Sequence, residues 1–175
     1  MTDNTESQLD TAVPQPREPE DLFAVFDSLG ISHETHRHAP DFPVAVSPSL
    51  RDESPGAHSK NLFLKDKKGQ YFLVTLAEDA NVDLKQIHTL IGGSGRVSFG
   101  KPDALMELLG VVPGAVTVFA ALNDTGGRVK VVLDAPLAAS DLVNGHPLRN
   151  NATTTVSSAD LMRFLAHTGH EPLVV

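Results

Sequence analysis

Lys60 and Asn61 open the run Asn61–Leu64, which carries the strongest β-strand signal in the sequence. An ammonium group beside a carboxamide can hold a phosphate or a carboxylate. The same two residues also fit an ordinary solvated strand end. Residue type and position therefore make this pair a candidate anion site, and both interpretations remain open.

His146 is a second candidate. It precedes Pro147 in a predicted loop, and a histidine before proline is biased towards extended backbone. An imidazole in such a loop can bind a substrate or exchange protons near neutral pH. It can equally be an ordinary loop residue, so the sequence by itself leaves its role open.

Several familiar catalytic patterns are missing from the sequence. The chain contains no Cys, which excludes disulfides, thiolate nucleophiles and Cys-ligated zinc. No Gly-x-Ser-x-Gly elbow is present, and Gly92–Gly95 lacks the Lys-Ser/Thr of a phosphate loop. His33, His36 and His38 are interpreted as surface histidines, because no carboxylate or further histidine at helical spacing completes a ligand set. We expect neither a metal nor another cofactor.

The charge is acidic overall but unevenly distributed. The 175 residues carry a formal net charge of −8, which argues against a general nucleic-acid or DNA coat. Residues 58–101 nevertheless hold seven basic and four acidic side chains, so a local basic face is compatible with the sequence. No apolar run reaches the ~20 residues that span a bilayer. The N-terminus also lacks a signal-peptide pattern, so we expect a cytoplasmic protein without a membrane contact.

Helix and strand signals alternate without regular βαβ spacing. Residues 1–20 are rich in Pro and acidic groups and predict a flexible acidic tail, whereas residues 21–175 predict one domain. The predicted helices are 21–29, 83–91, 102–109 and one capped by Ser157 or Ser158 that ends at His167. The predicted strands are 31–37, 61–64, 71–76, 96–99, 116–121, 128–133 and 173–175, with 150–155 as a polar strand that lines a pocket or lies at an edge. This order favours an α+β fold with a mixed, largely antiparallel sheet and flanking helices.

Six motifs in one order resemble the YbaK/ProX family of aminoacyl-tRNA editing domains, most of all its freestanding prolyl-tRNA editing members. The resemblance extends from about Asp21 to Val175. It rests on Lys60–Gly69, Leu109–Gly114, Ala121–Asp124, His146–Leu148, Asn151–Thr155 and Thr168–Pro172.

The resemblance implies an α/β domain with a curved mixed sheet around an acyl pocket, with Lys60 and His146 as its catalytic residues. Lys60 would lie near the terminal phosphate and the substrate, and His146 at the pocket rim near the amino group. Asn61 would help to hold the acceptor end. The loop Gly114, Ala115, Val116 and Thr117 would offer N–H groups to the carbonyl or its oxyanion. Relatives commonly carry Pro where this chain has Val118, and often a bulkier residue where it has Gly145. Val118 bears on the rigidity of the loop 114–117, and Gly145 bears on the shape of the pocket.

The function that the resemblance implies is deacylation of alanine mischarged onto proline tRNA, without metal or cofactor. The partners that it implies are tRNA(Pro) and prolyl-tRNA synthetase. An aminoacyl ester is already activated, so water oriented by the ribose hydroxyl can attack it without a strong protein nucleophile. Two alternatives stay open. One is a non-catalytic module that binds aminoacyl-tRNA or an amino acid. The other is a deacylase for another charged tRNA, such as Cys-tRNA(Pro) or a tRNA charged with serine.

Overall fold

Within residues 15–40 and 54–175, which the computed structural model describes, eight strands form one mixed sheet. The strands are β1 (Glu34–Arg37), β2 (Ala57–Lys65), β3 (Tyr71–Ala77), β4 (Ser98–Phe99), β5 (Val129–Leu133), β6 (Leu142–Gly145), β7 (Ala152–Ser157) and β8 (Leu173–Val174). The α-helices are α1 (Pro19–Ser28), α2 (Ile87–Ile91), α3 (Pro102–Leu109), α4 (Ala135–Ala138) and α5 (Ser158–His167), and a 3₁₀ helix covers Val118–Asn123.

The strand order is β1-β7-β6-β2-β3-β5-β8, and β4 pairs with β2 outside this path. The pairs β1–β7, β6–β7, β2–β3 and β2–β4 are antiparallel. The pairs β2–β6, β3–β5 and β5–β8 are parallel. The expected α+β class with a mixed sheet is confirmed, and parallel pairing joins its two antiparallel parts.

The two faces of the sheet carry different cores. One face, here called the helix-covered face, packs against α1, α3, the 3₁₀ helix and α5, with Phe26, Phe119 and Phe164 in edge-to-face contact. The opposite face bears a smaller core of Leu64, Phe72, Val74, Leu76 and Val132 under Ile87 and Ile91 of α2. Because side chains alternate along a strand, neighbouring residues of β2 serve different cores.

Local sequence signals explain the elements that agree with the predictions from the sequence. The β2–β3 hairpin turns at Asp66, whose carboxylate accepts the N–H groups of Lys68 and Gln70, both at 2.9 Å. Helix α3 begins with Pro102 at its first turn and ends at Gly110 in the left-handed conformation. Helix α5 begins where the Ser157 hydroxyl accepts the Asp160 N–H at 3.0 Å.

Other expected elements are wrong. Residues 116–121 do not form a strand, because the Thr117 hydroxyl caps the 3₁₀ helix Val118–Asn123. That segment is buried on all sides, and an apolar run buried all round carries no period that distinguishes helix from strand. Helix α2 begins at Ile87 rather than at Asp83, whose carboxylate caps a separate turn at Lys85.

Three further differences concern the sheet. Strand β7 lies between β1 and β6, so the edge interpretation of 150–155 is wrong, although a cross-strand Thr35–Thr154 hydrogen bond of 2.8 Å is present. Strand β6 and helix α4 carried no clear sequence signal. Strand β2 begins at Ala57, four residues before the predicted strand 61–64.

The predicted tail falls mostly on residues 1–14, which lie outside the described residues. Helix α1 begins at Pro19, two residues before the expected start. The segment before it contacts the domain, since Arg17 donates its N–H to Asn123 at 2.9 Å and Glu18 pairs with Arg149 at 2.5 Å. No helix of the described ranges is long and apolar enough to cross a membrane.

Candidate functional site

Lys60 and His146 lie on the same face of the sheet. His58 of β2 is the register partner of Asn144 in β6, so His58, Lys60 and Asn144 share a face. Asn144 accepts the Thr155 hydroxyl of β7 at 2.5 Å, which puts Thr155 and Thr153 on that face as well.

His38 connects this face to His146. Its Nε2 lies 2.9 Å from the Thr153 hydroxyl, and its ring centroid is 6.1 Å from that of His146. His38, Lys60, Asn144, His146 and Thr153 therefore form one group, here called the polar face, on β2, β6, β7 and the residue that follows β1. His38 is half-buried, and antiparallel pairing of β1 with β7 brings it next to His146, a neighbour that the sequence did not indicate.

Lys60 is half-buried at the boundary between the polar face and the smaller core. Its cross-strand partner is Leu76, which belongs to that core, and its ammonium donates to the Ala80 carbonyl. Ala80 and Leu76 also line a cavity of about 280 Å³ between the sheet and α2. The Lys60 charge is thus held next to a concave, largely apolar surface.

Asn61 lies on the other side of β2. Its side-chain oxygen accepts the hydroxyl of the fully buried Thr75 at 2.7 Å, on the helix-covered face. The structure therefore does not bring the side chains of Lys60 and Asn61 together. Alternation along the strand is the physical reason, and it applies to any two neighbours in a regular strand.

His146 is held by the backbone around it. Its Nδ1 lies 2.9 Å from the Ala152 carbonyl, which can only accept, so Nδ1–H is the donor and Nε2 of the neutral ring is an acceptor. The loop turns tightly after His146, whose carbonyl accepts the Leu148 N–H at 2.9 Å. Leu148 is fully buried with φ of 67°, so packing of its side chain holds a conformation that costs a non-glycine residue ~1–2 kcal/mol.

The loop 114–117 borders the end of β6. A Cβ built on Gly145 would lie 3.3 Å from the Thr117 hydroxyl and 3.0 Å from the Phe119 ring. A Cβ on Gly114 would lie 3.8 Å from the side-chain nitrogen of Asn150, which is in the same loop as His146. Gly145 thus permits a close approach of the 3₁₀ helix that a larger residue would prevent.

The four residues of this loop differ in what they can offer to a ligand. Ala115 and Thr117 are buried, and the Ala115 N–H is used by the Val112 carbonyl at 3.0 Å. Gly114 is exposed and Val116 is half-buried. Among residues 15–40 and 54–175, the N–H groups of Gly114 and Val116 have no hydrogen-bond acceptor. These two donors are therefore available to an oxygen atom of a ligand.

Two of the family-like motifs serve the core rather than the polar face. Asp124 and His170 are both buried and joined by a 2.8 Å hydrogen bond between Oδ2 and Nε2. Asn123 joins the Leu109 carbonyl to the Arg17 N–H. Val118 begins the 3₁₀ helix and is buried in the main core.

No group of three or more His, Asp or Glu side chains in the described part of the chain is arranged to hold a metal. The polar face and the loop 114–117 offer an ammonium, an imidazole and backbone N–H groups instead. Such groups suit a ligand that carries phosphate and carbonyl oxygens.

Comparisons with known proteins identify the family. The model of the aminoacyl-tRNA editing domain matches residues 41–164. The prolyl-tRNA editing protein ProX of Acetoanaerobium sticklandii is 35% identical over 150 residues, which cover 85% of this chain and 91% of that protein. The prolyl-tRNA synthetase associated domain-containing protein 1 of Bos taurus is 38% identical over 152 residues, 85% of this chain and 88% of that protein.

Solved structures share the fold. The crystal structure of hypothetical protein APE2540 has a TM-score of 0.68 at 22% identity and covers 90% of this chain and 99% of its own. A crystal structure of a candidate trans-editing enzyme for prolyl tRNA synthetase has a TM-score of 0.64 at 16% identity, with coverage of 89% and 94%. The extent of the domain match and the identity to full-length relatives lead to one conclusion: the chain belongs to the aminoacyl-tRNA editing domain family.

Proposed function

We propose that this chain is a trans-editing hydrolase that removes alanine from Ala-tRNA(Pro). The observation that carries the proposal is the polar face, where Lys60 and His146 lie on one side of the sheet. Two relatives are named for prolyl-tRNA editing and for association with prolyl-tRNA synthetase. We therefore propose tRNA(Pro) as the substrate, prolyl-tRNA synthetase as a candidate partner and the cytoplasm as the location.

The reaction needs no nucleophilic side chain of the protein. Water, oriented by the ribose hydroxyl of the substrate, attacks the carbonyl carbon of the ester, and the ribose oxygen leaves with a proton. The N–H groups of Gly114 and Val116 stabilise the oxyanion, a type of contact whose loss typically costs ~100–1000-fold in rate. Lys60 acts through its positive charge, which attracts the terminal phosphate and the ester oxygens. We propose that Asn61 acts from the other side of β2, through its amide nitrogen or the strand backbone.

The choice of alanine over proline follows from size. A synthetase pocket that accepts proline cannot exclude the smaller alanine, since a methylene is worth only ~1–3 kcal/mol. A second site that admits alanine and excludes proline completes a double sieve. We propose that the contact of Gly145 with Thr117 and Phe119 sets the depth of this second site.

The test follows release of a labelled amino acid from Ala-tRNA(Pro) and from Pro-tRNA(Pro) in separate reactions. We expect rapid loss of alanine and no loss of proline beyond the uncatalysed background. A binding module would instead protect the ester below that background. Release of cysteine or serine, but not alanine, from the corresponding charged tRNAs would retain the deacylase and replace its substrate.

We also expect the affinity for tRNA to fall as salt rises, because residues 58–101 form the most basic part of an acidic chain. Each phosphate contact on a single strand contributes about −0.7 to the slope of log affinity against log salt. Filter binding of tRNA(Pro) between low and physiological salt measures this slope. An affinity that does not change with salt would contradict a tRNA contact through residues 58–101.

A further inference from the structure

Phe99 is an exposed aromatic residue on a fixed backbone. It is 60% exposed, although both residues of β4 pair with β2, in the register Leu64 to Phe99 and Lys65 to Ser98. The next residue, Gly100, donates its N–H to the Phe63 carbonyl at 2.8 Å. A Cβ on Gly100 would lie 2.3 Å from the Phe63 ring, which leaves no room for a side chain there. The backbone directly after Phe99 is therefore in close contact with β2. A single exposed apolar residue is common on protein surfaces, so its surroundings must decide its role.

The surroundings of Phe99 are basic. Residues 94–101 contain the exposed Arg96 and Lys101 and no acidic residue. The Lys67 side chain lies against Gly95, and the Lys67 N–H donates to the Ser94 carbonyl at 3.1 Å, so the hairpin turn adjoins this segment. Arg96, Phe99, Lys101 and Lys67 are here called the basic ledge.

The single acid in the adjoining hairpin does not oppose this charge at the surface. Asp66 is 8% exposed, and its carboxylate accepts the N–H groups of Ser94, Lys68 and Gln70. The hydrogen bond from the Ser94 backbone, with those from its neighbours, holds the pKa of Asp66 below its ordinary value. The Asp66 carboxylate thus joins the two loops that form the ledge through hydrogen bonds.

Phe99, the aromatic residue of the basic ledge, lies on the same side of the sheet as Lys60. Cross-strand partners share a face, so Phe99 shares the face of Leu64, which alternation also gives to Leu62 and Lys60. Leu64 follows Lys60 by four positions along β2, which corresponds to a distance of about 13 Å. A stacked single strand that advances ~3.4 Å per nucleotide covers this distance in about four nucleotides.

We propose that Phe99 stacks on a nucleobase of the unpaired 3′ strand of the tRNA while Arg96 and Lys101 contact its phosphates. The inference rests on the proposed function and extends the substrate site from the ester at Lys60 to the nucleotides that precede it. Exposed aromatic side chains with flanking basic groups bind unpaired nucleotides in this way, and the stacking is tolerant of base identity. The excess of positive charge favours a polyanion over an apolar protein surface as the occupant.

A fluorescence experiment tests the contact without any turnover. The chain contains no Trp, so Phe99→Trp introduces a single tryptophan whose fluorescence can be followed separately from that of the one tyrosine, Tyr71. We expect uncharged tRNA(Pro) to quench this fluorescence on binding, and a tRNA that lacks its unpaired 3′ nucleotides to leave it unchanged. Val174→Trp is the matched control, because Val174 is 44% exposed on the outer strand β8 and its register partner Leu133 belongs to the core of the helix-covered face, opposite Phe99. Equal quenching of both variants, or of neither, would overturn the proposal.

Kinetics separate this inference from the function on which it rests. Phe99→Ala should raise KM for Ala-tRNA(Pro) about 5- to 150-fold at nearly constant kcat, the range expected for loss of one stacked base. Phe99→Tyr should restore KM, and hydrolysis of 3′-O-alanyl-adenosine should be unaffected, since that ester has no preceding nucleotide. An unchanged KM for the tRNA, or an equal loss with alanyl-adenosine, would contradict stacking. Absence of hydrolysis by the unmodified protein would contradict the proposed function alone, because the fluorescence result stands independently.

Discussion

Replacement of Lys60 by Ala is expected to lower kcat/KM for Ala-tRNA(Pro) by at least about 100-fold while the fold stays intact. Such losses are typical when a charged or N–H group that stabilises developing negative charge is removed. The ammonium is half-buried at the edge of the cavity between the sheet and α2, where it meets less solvent than a surface lysine. Single-turnover deacylation with labelled alanine measures the effect.

Lys60→Met separates the charge from the side-chain stem, because methionine retains an unbranched stem and has no charge. We expect it to be as inactive as Lys60→Ala. Lys130→Ala is the control, since Lys130 is an exposed lysine in the middle of β5 and should change the rate less than about twofold. If Lys60→Met keeps the rate but lowers the unfolding temperature, Lys60 acts through its Ala80 hydrogen bond and its proposed catalytic role is wrong.

Replacement of Asp124 by Ala is expected to destabilise the domain by about 3–5 kcal/mol, the usual cost of removing one partner from a buried polar pair. The Asp124 carboxylate accepts from His170 at 2.8 Å and from the N–H groups of Arg128 and Val129 at 3.0 and 2.8 Å. Both side chains of the pair are at most 3% exposed, so water cannot replace the lost acceptor. Urea unfolding at equilibrium, with the slope of the transition unchanged, measures the loss.

An exposed ion pair in the same region provides the comparison. Glu107 pairs with Arg128 at 2.8 Å, with both side chains more than half exposed, so Glu107→Ala should cost less than about 1 kcal/mol. His170→Ala should have an intermediate effect, because it leaves the carboxylate with its two N–H donors. Equal destabilisation by Asp124→Ala and Glu107→Ala would show that the buried pair does not anchor the end of α5 to the 3₁₀ helix.

The elements that could be predicted from the sequence are those specified by neighbouring residues. Pro102 and Gly110 bound α3, Ser157 caps α5, and the turn at Asp66 separates two apolar runs, so each is a local signal. The segment after Thr117 could not be assigned, because an apolar run buried on all sides is compatible with helix and strand alike. The short helix α4 and strand β6 also lack a periodic pattern long enough to detect.

The candidate site was harder to predict because it is assembled across the sheet. The resemblance to a known family indicated Lys60, His146 and the loop 114–117, and their roles stay predictions. His38 was missed, since its contact with Thr153 joins residues 115 positions apart, through a pairing of β1 with β7 that has no local signal. The opposite orientation of Asn61 could have been inferred, because it follows from alternation alone.

The strand order limits how much unpaired strand edge the described sheet presents to a second copy of the chain. The outermost strands of the described sheet path, β1 and β8, are four and two residues long, whereas the nine-residue β2 and seven-residue β3 lie inside. Exposed charges at Glu34 and Arg37 occupy both ends of β1. Short outer strands present few unpaired backbone groups to a second chain, and charges on one of them add to this common defence against edge-to-edge aggregation. The longest apolar strands are therefore hidden from intermolecular β-pairing for as long as the domain remains folded.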